Sequence, residues 1–173
     1  MRYWLLFFII IGTSFESIAQ ESEHDEKEPK QLLAISFGYT FVPKATSIGG
    51  TEANGIFVPS IGLDYFYKIT PKLEFGTMID LELGDYLIFH KNLSRERALV
   101  ITGIASYSFT EHINFFAGGG IELERNHNLG ILRLGTEYAF KLQNNWLLSP
   151  GFFYDIKEGY DTWSLAIAFG KEF

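Results

Sequence analysis

The sequence alternates large apolar residues with small or polar ones over most of its length, and this alternation limits the possible folds more than any other feature. Within residues 32–42, for example, Ile35 and Phe37 fall on one face of an extended chain, and Ser36 and Gly38 fall on the other. A period of two residues is typical of a β-strand with two different faces. The pattern recurs in eight segments, at 32–42, 55–69, 73–89, 97–109, 113–124, 129–141, 146–157 and 160–173. Because an even number of antiparallel strands can close without a free edge, we predict an all-β fold, an eight-stranded antiparallel up-and-down barrel.

The first residues of the chain have a different composition. Arg2 precedes an unbroken apolar run over residues 3–11, and small residues follow up to Ala19. This order is typical of a secretory signal peptide, and the run covers only about half the length that a membrane-spanning helix needs. The residues that follow are almost all charged or polar, which indicates a flexible acidic leader. We therefore divide the chain into a signal peptide at 1–19, a leader at 20–31 and a barrel domain at 32–173.

An eight-stranded barrel can be a water-soluble cup or a membrane protein, and the two strand faces distinguish these alternatives. The interior of eight strands is only just wide enough for side chains. One face carries most of the large apolar residues, whereas the other carries small ones, including Gly38, Gly62, Gly76, Gly118, Gly120, Gly135, Gly151 and Gly170. Since small residues fit a narrow lumen and large ones fit lipid, we predict a transmembrane barrel.

Charged and aromatic residues follow the same division. An ionised side chain that faces lipid at the midplane costs about 2–4 kcal/mol. The outward charges Asp85, Arg97 and Lys171 all fall near strand ends. The inward charges are Asp64, Lys68, Glu74, Asp80, Glu82, Glu122, Glu124, Arg133, Glu137, Lys141, Asp155, Lys157 and Glu172. Aromatic residues favour membrane interfaces, and we predict a rim of them at each end of the barrel. The periplasmic rim comprises Tyr65, Tyr67, Phe75, Tyr107, Phe109, Phe115, Tyr138, Phe140, Trp146, Phe169 and Phe173, and the outer rim comprises Phe41, Phe57, Phe89, Tyr154, Tyr160 and Trp163.

The final segment resembles the terminal signal of bacterial outer-membrane β-barrel proteins. Residues 163–173 alternate apolar positions and end in an aromatic residue, with Phe169 and Phe173 as candidate assembly-signal residues. Lys171 differs from the hydrophobic residue that is often found two positions before the end. Residues 67–73 and 116–120 are also similar to passages of the small porin-like, OmpA/OmpX-type barrels. The resemblance implies a location in the cell outer membrane after export, and recognition by the barrel-assembly machinery during biogenesis.

The connections between the segments alternate in length. The connections at 70–72, 110–112 and 142–145 are tight, whereas the first of the others, about 43–54, is longer; the remaining connections on its side lie near 90–96, 125–128 and 158–160. In outer-membrane barrels the short turns face the periplasm and the longer loops face the cell exterior. We expect the same arrangement here, with the chain entering the barrel from the periplasm.

Composition argues against several kinds of chemistry. The chain has no cysteine, which excludes disulfides, thiolate nucleophiles and zinc knuckles. A formal net charge of -7 argues against a nucleic-acid partner. The histidines, His24, His90, His112 and His127, are dispersed, and the His-X-Ser sequence of barrel lipid A deacylases does not occur. Residues 118–120 lack the Lys-Ser/Thr of a phosphate loop. We therefore expect no catalytic residues, no metal site and no cofactor.

The lumen is the candidate functional constellation. We predict a charge network of Lys68, Glu74, Asp80, Glu82, Glu122, Arg133 and Glu137. Lys68 should face Glu74 across a tight turn. Arg133 should pair with Glu122 and with an acid across the lumen, such as Asp80 or Glu82. The inward residues named above comprise nine acids and four bases, an excess that would attract cations or leave some carboxylates protonated. The network either fills the barrel as a plug or lines a narrow polar path.

These features predict a non-enzymatic integral outer-membrane protein, a porin-like envelope component. A narrow cation-preferring channel is one alternative, and a lipid-modifying enzyme is another. Outer-membrane lipid and the assembly machinery are the expected partners. We expect the barrel to be a monomer.

Overall fold

The computed structural model describes residues 29–47, 50, 54–88 and 93–173. The predicted signal peptide, most of the predicted leader, His90 and the predicted rim residue Phe89 lie outside these ranges. Gln31, which we assigned to the leader, is the first residue of the first strand. The proposed processing and leader stay predictions.

Twelve strands occur in the described residues, and eight of them form a barrel. In chain order the strands are β1 Gln31–Val42, β2 Ala45–Ser47, β3 Ile56–Thr70, β4 Leu73–Glu82, β5 Asp85–Ile88, β6 Leu93–Glu96, β7 Leu99–Ser108, β8 Ile113–Leu123, β9 Leu129–Tyr138, β10 Phe140–Lys141, β11 Trp146–Lys157 and β12 Asp161–Glu172. The barrel runs β1-β3-β4-β7-β8-β9-β11-β12, with every neighbouring pair antiparallel, and β10 continues the edge of β9 onto β11. Because β1 pairs with both β3 and β12, the sheet closes. The predicted eight-stranded antiparallel barrel is confirmed.

The two faces of the barrel wall differ as the alternation predicts. On the outside, Phe37 is 60% exposed and its cross-strand neighbour Ile167 is 54% exposed. On the inside of the same strand pair, Thr40 and Ser164 are buried, and their hydroxyl oxygens are 2.8 Å apart. A continuous apolar exterior is stable only against an apolar solvent, so the outer surface suits a lipid bilayer. Among the described residues, no helix is long and apolar enough to span a membrane.

Aromatic side chains gather at both ends of the barrel. At the end with the short turns, Trp146 stacks on Phe169 with ring centroids 4.7 Å apart. At the end with the longer loops, the Phe41 ring lies 4.9 Å from that of Phe57 and 5.0 Å from that of Trp163. These clusters occupy the positions expected for interfacial aromatic rings.

Tyr160 does not belong to the outer aromatic rim, which corrects its predicted position. The side chain is only 9% exposed, and its hydroxyl lies 3.0 Å from both carboxylate oxygens of Glu122 inside the lumen. The preceding residue, Gly159, has a φ of 139°, a backbone conformation that L side chains rarely adopt. This turn directs Tyr160 inward, toward the hydrogen-bond acceptor that its hydroxyl needs.

The predicted strand 73–89 is divided in the structure. Strand β4 ends at Glu82, and β5 continues in a separate three-stranded sheet, β2-β5-β6, at the loop end of the barrel. The division follows from the loss of a partner, because β7 pairs with β4 only as far as Leu81 opposite Leu99. Arg97, which lies between the end of β6 and the start of β7, has a φ of 50° and turns the chain there. The chain therefore leaves the barrel wall at this height on both sides.

The three-stranded sheet, which we call the cap, packs on the loop end of the barrel. Its Tyr86 and Ile88 are 0% and 3% exposed. They belong to an apolar cluster with Val42, Ala45, Val58, Leu129 and Tyr160. The cap therefore covers the loop end with an apolar layer, built from two segments predicted as loops and from the end of the predicted strand 73–89.

Candidate functional site

The middle of the lumen is crossed by Arg133, a buried side chain on β9. Its guanidinium donates to both carboxylate oxygens of Asp155 on the neighbouring strand β11, at 2.7 and 2.9 Å. It also donates to Asp80 on β4, at 2.5 Å, and lies over the ring of Phe153 at 4.6 Å. A planar guanidinium suits this paired geometry, because its donors are fixed in a fork that matches a carboxylate. We call Asp80, Arg133 and Asp155 the middle cluster.

Between the middle cluster and the loop end of the barrel, Lys157 joins opposite walls of the barrel. Its ammonium group lies 3.0 Å from Glu82 on β4 and 2.8 Å from Glu122 on β8. Around the barrel, β11 and β4 are separated by β7, β8 and β9 on one side and by β12, β1 and β3 on the other. Glu82 and Lys157 therefore bridge the full width of the lumen.

Arg95 adds a second cation to this level, from a strand of the cap. Its guanidinium forms an ion pair with Glu122 at 2.8 Å, and both side chains are fully buried. Tyr86 of the cap donates its hydroxyl proton to Glu82 at 2.6 Å. We call Glu82, Tyr86, Arg95, Glu122, Lys157 and Tyr160 the loop-end cluster.

Glu124, which follows the last residue of β8, connects this cluster to the loop at 125–128. It accepts hydrogen bonds from the backbone N–H groups of Asn126 at 2.8 Å and His127 at 3.3 Å. Burial raises the pKa of the Glu124 carboxyl, but these hydrogen bonds and the charge of Arg95 outweigh burial and lower the pKa below its ordinary value. Glu124 therefore fixes the loop most firmly in its ionised form.

The half of the lumen near the short turns is open. A cavity of about 740 Å³ begins among the turns at Pro71 and Thr110 and extends inward to Glu137 and Ser149. A smaller hollow of about 20 Å³ continues from it and is lined by Asp64, among others. The lumen is thus a blind cavity at the turn end and a packed charge network at the loop end.

The charged residues around this cavity are less completely paired than those of the middle cluster and the loop-end cluster. Lys68 lies 2.8 Å from Glu172 but 4.0 Å from Glu74. Glu137 accepts a hydrogen bond from the amide of Asn114 at 2.9 Å. Asp64 Oδ1 is buried without a hydrogen-bond partner among the described residues.

The structure divides the predicted charge network into separate groups. Asp80 and Arg133 are in the middle cluster, Glu82 and Glu122 are in the loop-end cluster, and Lys68, Glu74 and Glu137 line the turn-end cavity. The predicted pair of Glu122 with Arg133 does not form. Their strands place Glu122 opposite Leu129 and Arg133 opposite Gly118, so the two charges lie at different heights.

Arg95 and Asp155 carry much of the network, and only Asp155 was among the predicted inward charges. Arg95 was missed because it lies in a segment interpreted as an outer loop. The excess of inward acids over inward bases was the available signal, since buried carboxylates need cationic partners.

The remaining predicted positions are at the turn end. Lys141, predicted to point inward, is exposed and lines the mouth of the cavity. The assembly-signal residues Phe169 and Phe173 are 47% and 45% exposed. Among the residues that the structure describes, no group of three or more His, Cys, Asp or Glu side chains is placed to hold a metal ion.

The geometry, an eight-stranded barrel with an apolar exterior and a charged interior, is that of the small outer-membrane barrels. No protein-family model matches the sequence, and no curated protein matches it significantly in sequence. Solved structures do share the fold. The amino-terminal β-barrel domain of Pseudomonas aeruginosa OprF aligns with a TM-score of 0.55 at 10% identity, over 85% of this chain and 100% of that one.

Two further barrels are similar. Neisserial surface protein A has a TM-score of 0.52 at 16% identity, over 86% of this chain and all of its own. Ail, the attachment invasion locus protein of Yersinia pestis, has a TM-score of 0.51 at 11% identity, over 85% of this chain and all of its own. The resemblance to bacterial outer-membrane barrels is therefore confirmed for the fold.

Proposed function

We propose that this chain is a non-enzymatic component of the bacterial outer membrane whose barrel is closed and serves as a membrane anchor for its loop-end cap. The observation that carries the proposal is the bridge of Lys157 to Glu82 and Glu122, which joins opposite walls of the lumen. A lumen filled by ion pairs at two heights leaves no continuous path for water or ions.

The energetics support a permanent closure. Leaving one member of a buried ion pair without its partner costs about 3–5 kcal/mol. To open a path, the chain would have to separate Lys157 from two carboxylates and Arg133 from two more, while also displacing the cap. Because these costs accumulate across two layers, thermal motion opens the pore too rarely to support transport.

Conductance tests this proposal directly. The refolded protein is inserted into planar lipid bilayers, beside the Lys157→Ala variant and a Lys72→Ala control on an exposed turn. We expect no single-channel steps from the wild type or from the control. Regular cation-selective steps from the wild type would contradict the proposal and favour the cation-channel alternative.

The proposed location and export have their own test. After fractionation of the host cell, we expect the protein in the outer membrane, with an amino terminus near Gln20. Recovery in the soluble periplasm, or a membrane-bound chain that still begins at Met1, would contradict this. Incubation of the purified barrel with outer-membrane lipids, followed by mass spectrometry of the lipids, tests the proposed lack of enzymatic activity.

A further inference from the structure

The inner hollow of the turn-end cavity has an apolar wall and several carboxylates that lack a close cationic partner. Asp64, Glu74 and Glu137 contribute acids, and Ser106 and Ser149 contribute hydroxyl groups. The rest of the lining is largely apolar, with Leu32, Ala34, Phe66, Met78, Phe116, Leu147 and Ala168. Such a surface suits a ligand that carries both positive charge and hydrocarbon.

Asp64 is the observation that points to a missing partner. The residue is only 4% exposed, and its Oδ1 has no hydrogen-bond partner among the described residues. Ser36 donates a hydrogen bond to this carboxyl group but brings no positive charge. A buried carboxylate oxygen without a partner is costly, and a cation placed beside it would remove that cost. The middle cluster does not supply this cation, because the guanidinium of Arg133 is bonded to Asp80 and Asp155.

The neighbouring acids increase the negative charge around the hollow. Glu137 is hydrogen-bonded to a neutral amide, that of Asn114. Glu74 lies 4.0 Å from Lys68, whose shorter contact is with Glu172. The hollow is therefore surrounded by more negative than positive charge.

The shape and lining favour an alkylammonium group over a metal ion. Metal ions of the Ca²⁺ and Mg²⁺ type need six or more oxygen ligands, and no suitable group of acids exists in the described part of the chain. A hollow of about 20 Å³ holds one group of the size of a water molecule. An ammonium group has this size, offers three donors to carboxylate and hydroxyl oxygens, and continues into a methylene chain that can contact the apolar wall.

We propose that the turn-end cavity binds a linear aliphatic polyamine, with one terminal ammonium group between Asp64 and Glu137. The methylene chain extends along the apolar wall toward the wider cavity of about 740 Å³. Glu111 lines that wider part and can receive a second ammonium group. This binding site goes beyond the proposed closed anchor, because it adds a ligand that enters from the turn end and stops at the middle cluster.

Titration calorimetry with the full-length folded barrel in phospholipid nanodiscs tests the proposal. Spermidine and putrescine are the probes, and the wild type is compared with Asp64→Asn and Glu137→Gln. Glu96→Gln is the matched control, since Glu96 is an exposed acid of the cap. We expect saturable binding of one spermidine to the wild type and the control, and affinity at least tenfold weaker in both lumen variants.

A second measurement guards against misfolded variants. Heating the samples before electrophoresis gives the temperature at which each folded band disappears, and spermidine should raise this temperature for the wild type but not for Asp64→Asn. Absence of saturable spermidine binding to the wild type would overturn the proposal, as would equal binding to folded Asp64→Asn. Tighter binding of Ca²⁺ or Mg²⁺ that depends on Asp64 would also overturn it, because the site would then belong to a metal ion.

Discussion

Arg95 of cap strand β6 and Glu122 of barrel strand β8 form an ion pair at 2.8 Å in which both side chains are fully buried. Arg95 also donates to the backbone carbonyl of His127. The pair therefore joins three parts of the loop end, namely the cap, the barrel wall and the loop between β8 and β9. Together with the hydrogen bond from Tyr86 to Glu82, it is a direct polar connection between the cap and the closure of the lumen.

Replacement of Arg95 by alanine should loosen the cap while leaving the barrel assembled. Glu122 keeps Lys157 as a partner at 2.8 Å, so the lumen stays closed, but the cap loses its buried cation. We expect hydrogen exchange in β5 and β6 to accelerate at least tenfold, and exchange in β1 and β12 to stay unchanged. Arg97→Ala, at an exposed position nearby, is the control. Unchanged protection of the cap in Arg95→Ala would contradict the assigned role.

Replacement of Arg133 by alanine should lower the stability of the barrel itself. The change leaves Asp80 and Asp155 buried without their cation, which we expect to cost about 3–5 kcal/mol in the free energy of unfolding. Lys72→Ala, on an exposed turn, should cost less than about 1 kcal/mol. Urea titration of the refolded proteins in lipid vesicles measures both. Equal stability of the two variants would place Arg133 outside the structural network.

An arginine introduced on the outer surface should destabilise the barrel less when its position is closer to the membrane interface. Leu134→Arg, midway along the wall, should lower stability by about 2–4 kcal/mol, whereas Tyr65→Arg, nearer the turn-end rim, should cost about 1 kcal/mol beyond the loss of the tyrosine ring. The same titration in vesicles compares the two variants. A penalty that does not depend on position would contradict the placement of the bilayer around the barrel.

Two glycines of neighbouring strands should respond differently to an added methyl group. A Cβ at Gly76 would overlap the backbone oxygen of Tyr65 and the ring of Phe66, whereas a Cβ at Gly103 would meet its nearest atom at 3.9 Å. We therefore expect Gly76→Ala to destabilise the barrel by about 1–3 kcal/mol and Gly103→Ala to have little effect. The temperature at which the folded band disappears from a gel, after the samples are heated to a series of temperatures, compares the two variants. Equal temperatures would show that the glycine at position 76 is not sterically required.

Acid should release the loop at 125–128 through Glu124. The pKa of Glu124 is lower in the folded protein than its ordinary value of 4.5, so ionised Glu124 stabilises the folded loop at neutral pH. This contribution is complete above pH 4.5 and is lost as the pH falls through the lower folded pKa. We expect hydrogen exchange at Asn126 and His127, corrected for intrinsic rates, to rise over that range. In Glu124→Gln this pH dependence should disappear.

Much of the fold follows from local pattern, but the charge network does not. The alternation around Phe37 and Gly38 was sufficient to assign both strand faces, because side-chain direction depends only on the extended backbone. The partners of Arg133 depend on how far each strand is shifted against its neighbours around the closed sheet. That shift is a property of the whole barrel, so the Asp80 contact could be named only as one of several alternatives.

The cap was missed for a related reason. Tyr86 continues the same inward phase as Glu82, so the alternation does not reveal that the chain has left the wall. The division at Gly84 becomes evident only when the end of β7 is known, because a strand needs a neighbour to remain in the sheet.

The seam between β1 and β12 determines when the barrel can become stable during its synthesis. Thr40 and Ser164, which meet across this seam, are 124 residues apart in the chain. Strand β1 therefore has no partner on one edge until strand β12 has been translated. Throughout that interval the chain exposes apolar side chains and unpaired backbone groups to water, a state prone to aggregation. This exposure lasts longer here than in a protein whose neighbouring strands are all consecutive in sequence.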